Sequence, residues 1–241
     1  MRTSIQVFRI GVFVTASLLL TLPSSFAQQQ QQPASESDDV VMPDQFTQTL
    51  KQVWSTLKNE MENYQNSIAT KGEFETSREY DRRLVDAKRQ YLEKIAKYSR
   101  DQKLDQHVFS ILFKAQLGTY DADKQMFTIS SPTVVDAPYN IPSVQCVIRK
   151  NAYIALADSI RKGYRISSMY VHLPRGNKWK VSRDIAREAK NDEDNLFFRV
   201  KMMVNIVRPD VRTQAILELV PKELALYNQQ TKKVYWAVPI R

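Results

Sequence analysis

The stretch "KGEFETSREYDRR", residues 71–83, crowds acids and bases together, and its reading decides the fold. Thr76-Ser77-Arg78-Glu79 fits a capping box: the threonine hydroxyl takes a free backbone N–H and Glu79 reaches back to the cap. Phe74 sits just outside the cap, where it is expected to pack on Tyr80. Downstream, Tyr80, Leu84, Ala87, Tyr91, Ile95 and Tyr98 recur at helical steps, and most of the charges fall off that stripe. The cluster is therefore a helix start with a solvated charged face rather than a reactive site.

Upstream, Phe46, Leu50, Val53, Leu57, Met61, Tyr64 and Ile68 make a second stripe at steps of three and four. Asp44 is the expected N-cap, and Gly72 the expected left-handed stop. Two long stripes joined by a short turn predict an antiparallel αα-hairpin over 44–105.

Before the hairpin the composition changes. Gln28 to Asp39 is polar and low in complexity, which predicts a disordered tether over 28–43. Arg2 and Arg9, the apolar run Ile10 to Leu22, Pro23 and Ser25-Phe26-Ala27 spell a secretory signal peptide over 1–27. The run falls short of the ~20 residues a spanning helix needs, which weighs against an uncleaved anchor. Cys146 is the single cysteine, so no internal disulfide is available and no cysteine near Ala27 can carry a lipid. No later segment approaches transmembrane length. The expectation is an exported, periplasmic or extracellular protein, cleaved near Ala27, with no transmembrane segment in the mature chain.

After residue 105 the period becomes two. Strands are expected over 107–117, 126–129, 144–148, 164–173, 178–183, 196–206, 213–220, 222–227 and 233–238. Asn151 is expected to cap a helix ending at Gly163, and Asp184 to Asp194 to form a short helix and loop. Short connections favour antiparallel pairing. The fold class is α+β: an αα-hairpin, then a mainly antiparallel sheet domain over 106–241 with one or two short helices.

Gly72-Glu73-Phe74-Glu75-Thr76, followed by Glu79-Tyr80 and Arg83, resembles a recurring "GEFETxxEYxxR" helix start in exported bacterial proteins of uncharacterised function, some of them lipoproteins. "YDADKQMF", residues 120–127, resembles a hairpin that often follows it. The resemblance implies an envelope location and no catalytic residues. Lipid anchoring does not carry over to a chain without the acceptor cysteine.

The chemical inventory is thin. Two histidines, His107 and His172, and no HExxH or CxxC spacing give no metal site. Cys146 beside His172 would make a nucleophile–base pair, but a thiol between Val144 and Ile148 reads as buried and inert. Asp121-Ala122-Asp123 starts like a calcium loop, yet Met126 and Pro132 stand where glycine and glutamate are needed. Five glycines in the whole chain leave no glycine-rich phosphate cradle. We therefore expect no cofactor, no metal and no catalytic residue.

The net charge is +9. Arg175, Lys178, Lys180, Arg183, Arg187 and Lys190 gather around a turn at Pro174 to Asn177, with Trp179 among them. A hairpin of the flanking strands would present them to phosphates of a lipid or an anionic polymer; a plain solvated surface is the competing reading. Two functions follow. One is a non-catalytic envelope protein whose helical hairpin meets an unidentified protein partner. The other binds anionic envelope polymer or lipid head groups through 175–190. Export weighs against nucleic acid.

Overall fold

The structure is a computed structural model that describes residues 40–104, 106–138, 144–161, 164–207 and 215–240. The expected signal peptide and most of the expected tether lie outside the described residues. The described residues all fall within one compact unit.

A two-residue strand β1 (Val40–Val41) leads into α1 (Pro43–Ser67). The expected cap at Asp44 is displaced: Met42 is the N-cap and Pro43 the first helical residue, where its missing N–H costs nothing. Met42 N–H donates to Gln45 Oε1 at 3.0 Å. Phe46, Leu50, Val53, Leu57 and Met61 are buried as their spacing predicts. The helix stops at Ser67, short of Gly72, which does not adopt a left-handed conformation. Helix α2 (Ser77–Gln102) buries Tyr91 and Ile95. The two helices pack together. Tyr64 stacks on Tyr91 at 5.1 Å, Glu60 pairs with Lys94 at 3.3 Å, and Ser67 O accepts from Arg83.

The β-strands follow as β2 (Phe109–Lys114), β3 (Gln116–Asp121), β4 (Met126–Ser130), β5 (Val134–Asp136), β6 (Val144–Ile148), β7 (Ile154–Arg161) and β8 (Tyr164–Val171). A one-turn helix α3 (Pro174–Asn177) precedes β9 (Lys178–Lys180), and α4 (Arg183–Asn191) leads through a short 3-10 turn to β10 (Leu196–Val207). Strands β11 (Ala215–Asn228) and β12 (Val234–Pro239) close the chain. The largest sheet runs β1-β2-β10-β11-β12, and two three-stranded sheets run β3-β4-β9 and β5-β8-β7. Pairing is mostly antiparallel, with β1–β2 and β6–β11 parallel. The class is α+β.

Strand β10 alternates along its whole length, with Leu196, Phe198, Val200, Met202 and Val204 buried. It pairs with β11 and aligns both halves of that strand. The expected break between 220 and 222 is therefore no break. Pro221 sits at a bulge, where Met202 faces Pro221 and Lys201 faces Glu223, leaving Lys222 as the extra residue. A bulge is where a strand tolerates a proline.

The expected helix after Asn151 is a strand. Asn151 Oδ1 accepts from Tyr153 N at 2.8 Å and Ile154 N at 2.7 Å, a tight turn that launches β7 instead of capping a helix. Pairing along β8, from Ile154↔Val171 to Arg161↔Tyr164, overrides the helical leaning of Ala155-Leu156-Ala157. Likewise 107–117 splits into β2 and β3, because Ala115 N–H donates to Leu196 O where the chain leaves one sheet for the other. One core joins α1 to the sheets, with Phe46 edge-on to Phe109 at 5.2 Å.

Candidate interaction site

The turn between α1 and α2 is fixed by side chains that hold one another. Arg83 lays its guanidinium against Glu75 in two bonds of 2.8 Å, and its Nη1 donates to Ser67 O at 2.5 Å. This forked pairing fixes direction as well as distance. Glu75 Oε2 also accepts the Gly72 N–H at 3.0 Å, and Glu75 N–H donates to Gly72 O at 3.1 Å. Thr76 and Glu79 complete the expected capping box, with Thr76 N–H to Glu79 Oε2 at 2.8 Å and Glu79 N–H to Thr76 Oγ1 at 3.2 Å. Lys71 Nζ donates to Ser77 Oγ.

These contacts set the electrostatics. The hydrogen bond from Arg83 draws the Glu75 carboxyl down to about 2, against the opposing effect of desolvation and with the Gly72 N–H adding to the fall. Glu79 is lowered by bonds from the Thr76 hydroxyl and backbone. The Arg83 guanidinium is raised by the bond to Glu75.

Phe74 lies within this frame, and it is 94% exposed. The expected packing on Tyr80 is not made. The Arg83 guanidinium sits 4.9 Å over the Tyr80 ring, and the Glu75 clamp leaves Phe74 facing water. Single exposed apolar residues are ordinary. What sets Phe74 apart is its mount, a turn in which Gly72, Glu75, Thr76 and Glu79 are tied down. The sequence held one sign of this: Phe74 belongs to neither apolar stripe.

The basic segment behaves differently. Strand β9 pairs with β4, not with β8, so the expected hairpin does not exist. Lys178 and Lys180 point outward from β9 while Trp179 is buried, ring to ring with Phe127 at 5.9 Å and Tyr235 at 5.5 Å. Lys178, Lys180 and Arg183 make no ion pair among the described residues, whereas Arg187 lies 3.9 Å from Asp184. Lys190 is tied into the scaffold, donating to Leu117 O at 3.1 Å and to Glu193 Oε2 at 2.5 Å. The side chain of Arg175 lies outside the described residues. The six basic residues thus divide between a strand face, a one-turn helix and α4. Outward lysines on an edge strand also discourage stray strand pairing.

The remaining chemical candidates sit at different depths. Cys146 is buried on β6, where loss of solvent pushes its thiol up to about 12, far from the thiolate a nucleophile needs. His172 is exposed at the end of β8, its N–H donating to Tyr153 O. Asp121 is lowered by the Lys124 N–H and ammonium. Glu193 accepts from Leu117 N–H at 2.6 Å, and Asp192 accepts from Asn195 and Asn228. No group of three or more metal-ligating side chains occurs among the described residues, and no helix there is long and apolar enough to cross a membrane.

Residues 56–152 match a family described as a domain of unknown function (DUF4852). The DUF4852 match takes in the α1–α2 turn and ends before β9 and α4. No curated protein matches the chain, and no solved structure does.

Proposed function

We propose that the chain is a non-catalytic exported protein whose helix pair, as an antiparallel hairpin, docks a protein partner in the cell envelope. Phe74 is the anchor. The observation that carries this reading is the 94% exposure of a phenylalanine on a turn clamped by Glu75, Arg83, Thr76 and Glu79. Aromatic anchors dominate binding energy at interfaces, and a turn fixed in advance loses little entropy when it docks. The export half of the proposal is supported by Arg2, Arg9, the Ile10–Leu22 run and Ser25-Phe26-Ala27.

A photo-crosslinking residue at position 74, expressed in living cells, tests it. The expected result is a discrete adduct with an envelope protein, reduced by Arg83→Met and unaffected by Lys178→Glu. No adduct at 74, or the same adducts from a probe at 178, defeats the reading.

The second reading, an anionic-ligand surface, is favoured by one observation: Lys178 and Lys180 share the outward face of β9 with no ion pair among the described residues. Vesicles of anionic lipid should then bind the protein at low salt and release it at high salt, and Lys178→Glu with Lys180→Glu should abolish binding. Binding indifferent to salt removes this alternative.

A further inference from the structure

The helix pair carries a second apolar feature, on which Val85 is left exposed while Leu92 packs in part against the core. An open groove of about 480 Å3 runs along α2, lined by Val85, Lys88, Arg89, Leu92, Glu93 and Ala96. Val85 is 67% exposed, and spacings of seven and four place Val85, Leu92 and Ala96 on one strip of the helix. The groove begins about 12 Å along α2 from its first residue. Phe74 is almost fully exposed, so it does not fill the groove of its own copy.

We propose that Phe74 of one copy of the chain seats in the α2 groove of a second copy. This names the partner for the docking element proposed above and rests on that reading. Shape supports the match, because a protruding ring meets an apolar trough. Charge supports it as well. Glu73, beside the knob, makes no ion pair among the described residues. Neither does Lys88 on the groove rim, while Arg89 pairs with Asp86 at 2.8 Å. Seating Phe74 with the Glu73 carboxylate towards Lys88, and away from Glu93 on the same lining, would pair charges across the contact. Each copy owns both features, and a two-fold arrangement that sets each knob on the other copy's groove would form both contacts at once and close the assembly. Two buried rings contribute about 300–500 Å2, a minor share of the roughly 1,600 Å2 of a standard interface. The dimer is therefore a reversible one.

Sedimentation of the protein purified from cells expressing the whole chain tests this, from low micromolar to submillimolar concentration. A monomer–dimer equilibrium is expected. Phe74→Asp and Val85→Asp should each weaken it at least about tenfold, with the circular dichroism spectrum unchanged because both sites are exposed. An equimolar mixture of those two variants should regain part of the association, since one knob–groove contact survives in the mixed pair. Glu73→Lys should weaken the dimer, and adding Lys88→Glu to the same chain should restore it. A monomer at every concentration overturns the inference, whether residues before Val40 fill the groove or nothing does. So does a dimer indifferent to both aspartate variants. If the protein is monomeric while the crosslink at 74 still captures another envelope protein, the self-association fails and the docking reading stands. If both are lost, both fail.

Discussion

The α1–α2 turn and the β9–α4 segment are both dense in charge, and they use that charge in opposite ways. In the turn, Glu75 and Arg83 hold each other, Glu79 holds Thr76, and the apolar residue left facing water is Phe74. In the basic segment the apolar Trp179 is buried, and Lys178 and Lys180 are left outside with no ion pair among the described residues. Similar composition yields a rigid aromatic knob in one place and a solvated basic face in the other. The difference lies in spacing: Glu75 and Arg83 reach each other across the helix start, whereas lysines two apart on a strand share a face with no acid opposite.

The contrast depends first on the turn standing on a firm base. Phe46 is fully buried against Phe109, so Phe46→Ala should cost about 3–5 kcal/mol and should lower one cooperative transition rather than releasing the helices alone. Urea unfolding followed by both helical ellipticity and tryptophan fluorescence would show it; two separated transitions would mean that the helix pair is not part of the sheet core.

Next in size is the cap. Thr76→Ala should destabilise by about 1 kcal/mol, while Phe74→Ala should stay within about 0.5 kcal/mol because an exposed ring contributes little to folding. A larger loss for Phe74→Ala would show that the knob packs somewhere on its own chain, and the contrast would collapse.

Acid should separate the two regions. The Glu75 carboxyl titrates at about 2 when folded, against an ordinary 4.5. A lowered folded value means that the clamp's contribution is complete above 4.5 and is lost as the pH falls from there towards 2. Wild type should therefore exceed Glu75→Gln in thermal stability at neutral pH, and the gap should close within that window. The gap for Lys178→Glu with Lys180→Glu should be small and should show no closure of that kind, because neither lysine has an acid partner among the described residues to lose.

The smallest effect belongs to Gly72→Ala. A Cβ there would meet Glu75 Cβ at 3.6 Å, an ordinary contact, and the backbone is not left-handed. Melting temperature should hold or rise slightly; a clear fall would mean that the turn is tighter than its bonds suggest.

Much of the architecture was legible in local patterns. The α1 stripe from Phe46 to Met61, the Thr76–Glu79 box and the alternation of β10 are each decided by neighbours three or four residues away, or by a period of two. What escaped was decided at long range. Ala155-Leu156-Ala157 reads as helix until β8 offers a ladder, and Pro221 reads as a strand end until β10 aligns both sides of it. The partner of β9 lay fifty residues upstream in β4, so the basic hairpin could not be tested from 164–183 alone. Phe74 was misplaced for a related reason. A staple to Tyr80 is the local expectation, and it fails because Arg83 already occupies the face of that ring.

Residue-resolved amide hydrogen exchange across 68–84 tests the central claim most directly, that the turn is a rigid mount for Phe74. The amides of Gly72, Glu75, Thr76 and Glu79, each bonded within the turn, should be protected, and Glu75→Gln should release Gly72 first. Exchange of all four at the rate of an unstructured chain would contradict the account.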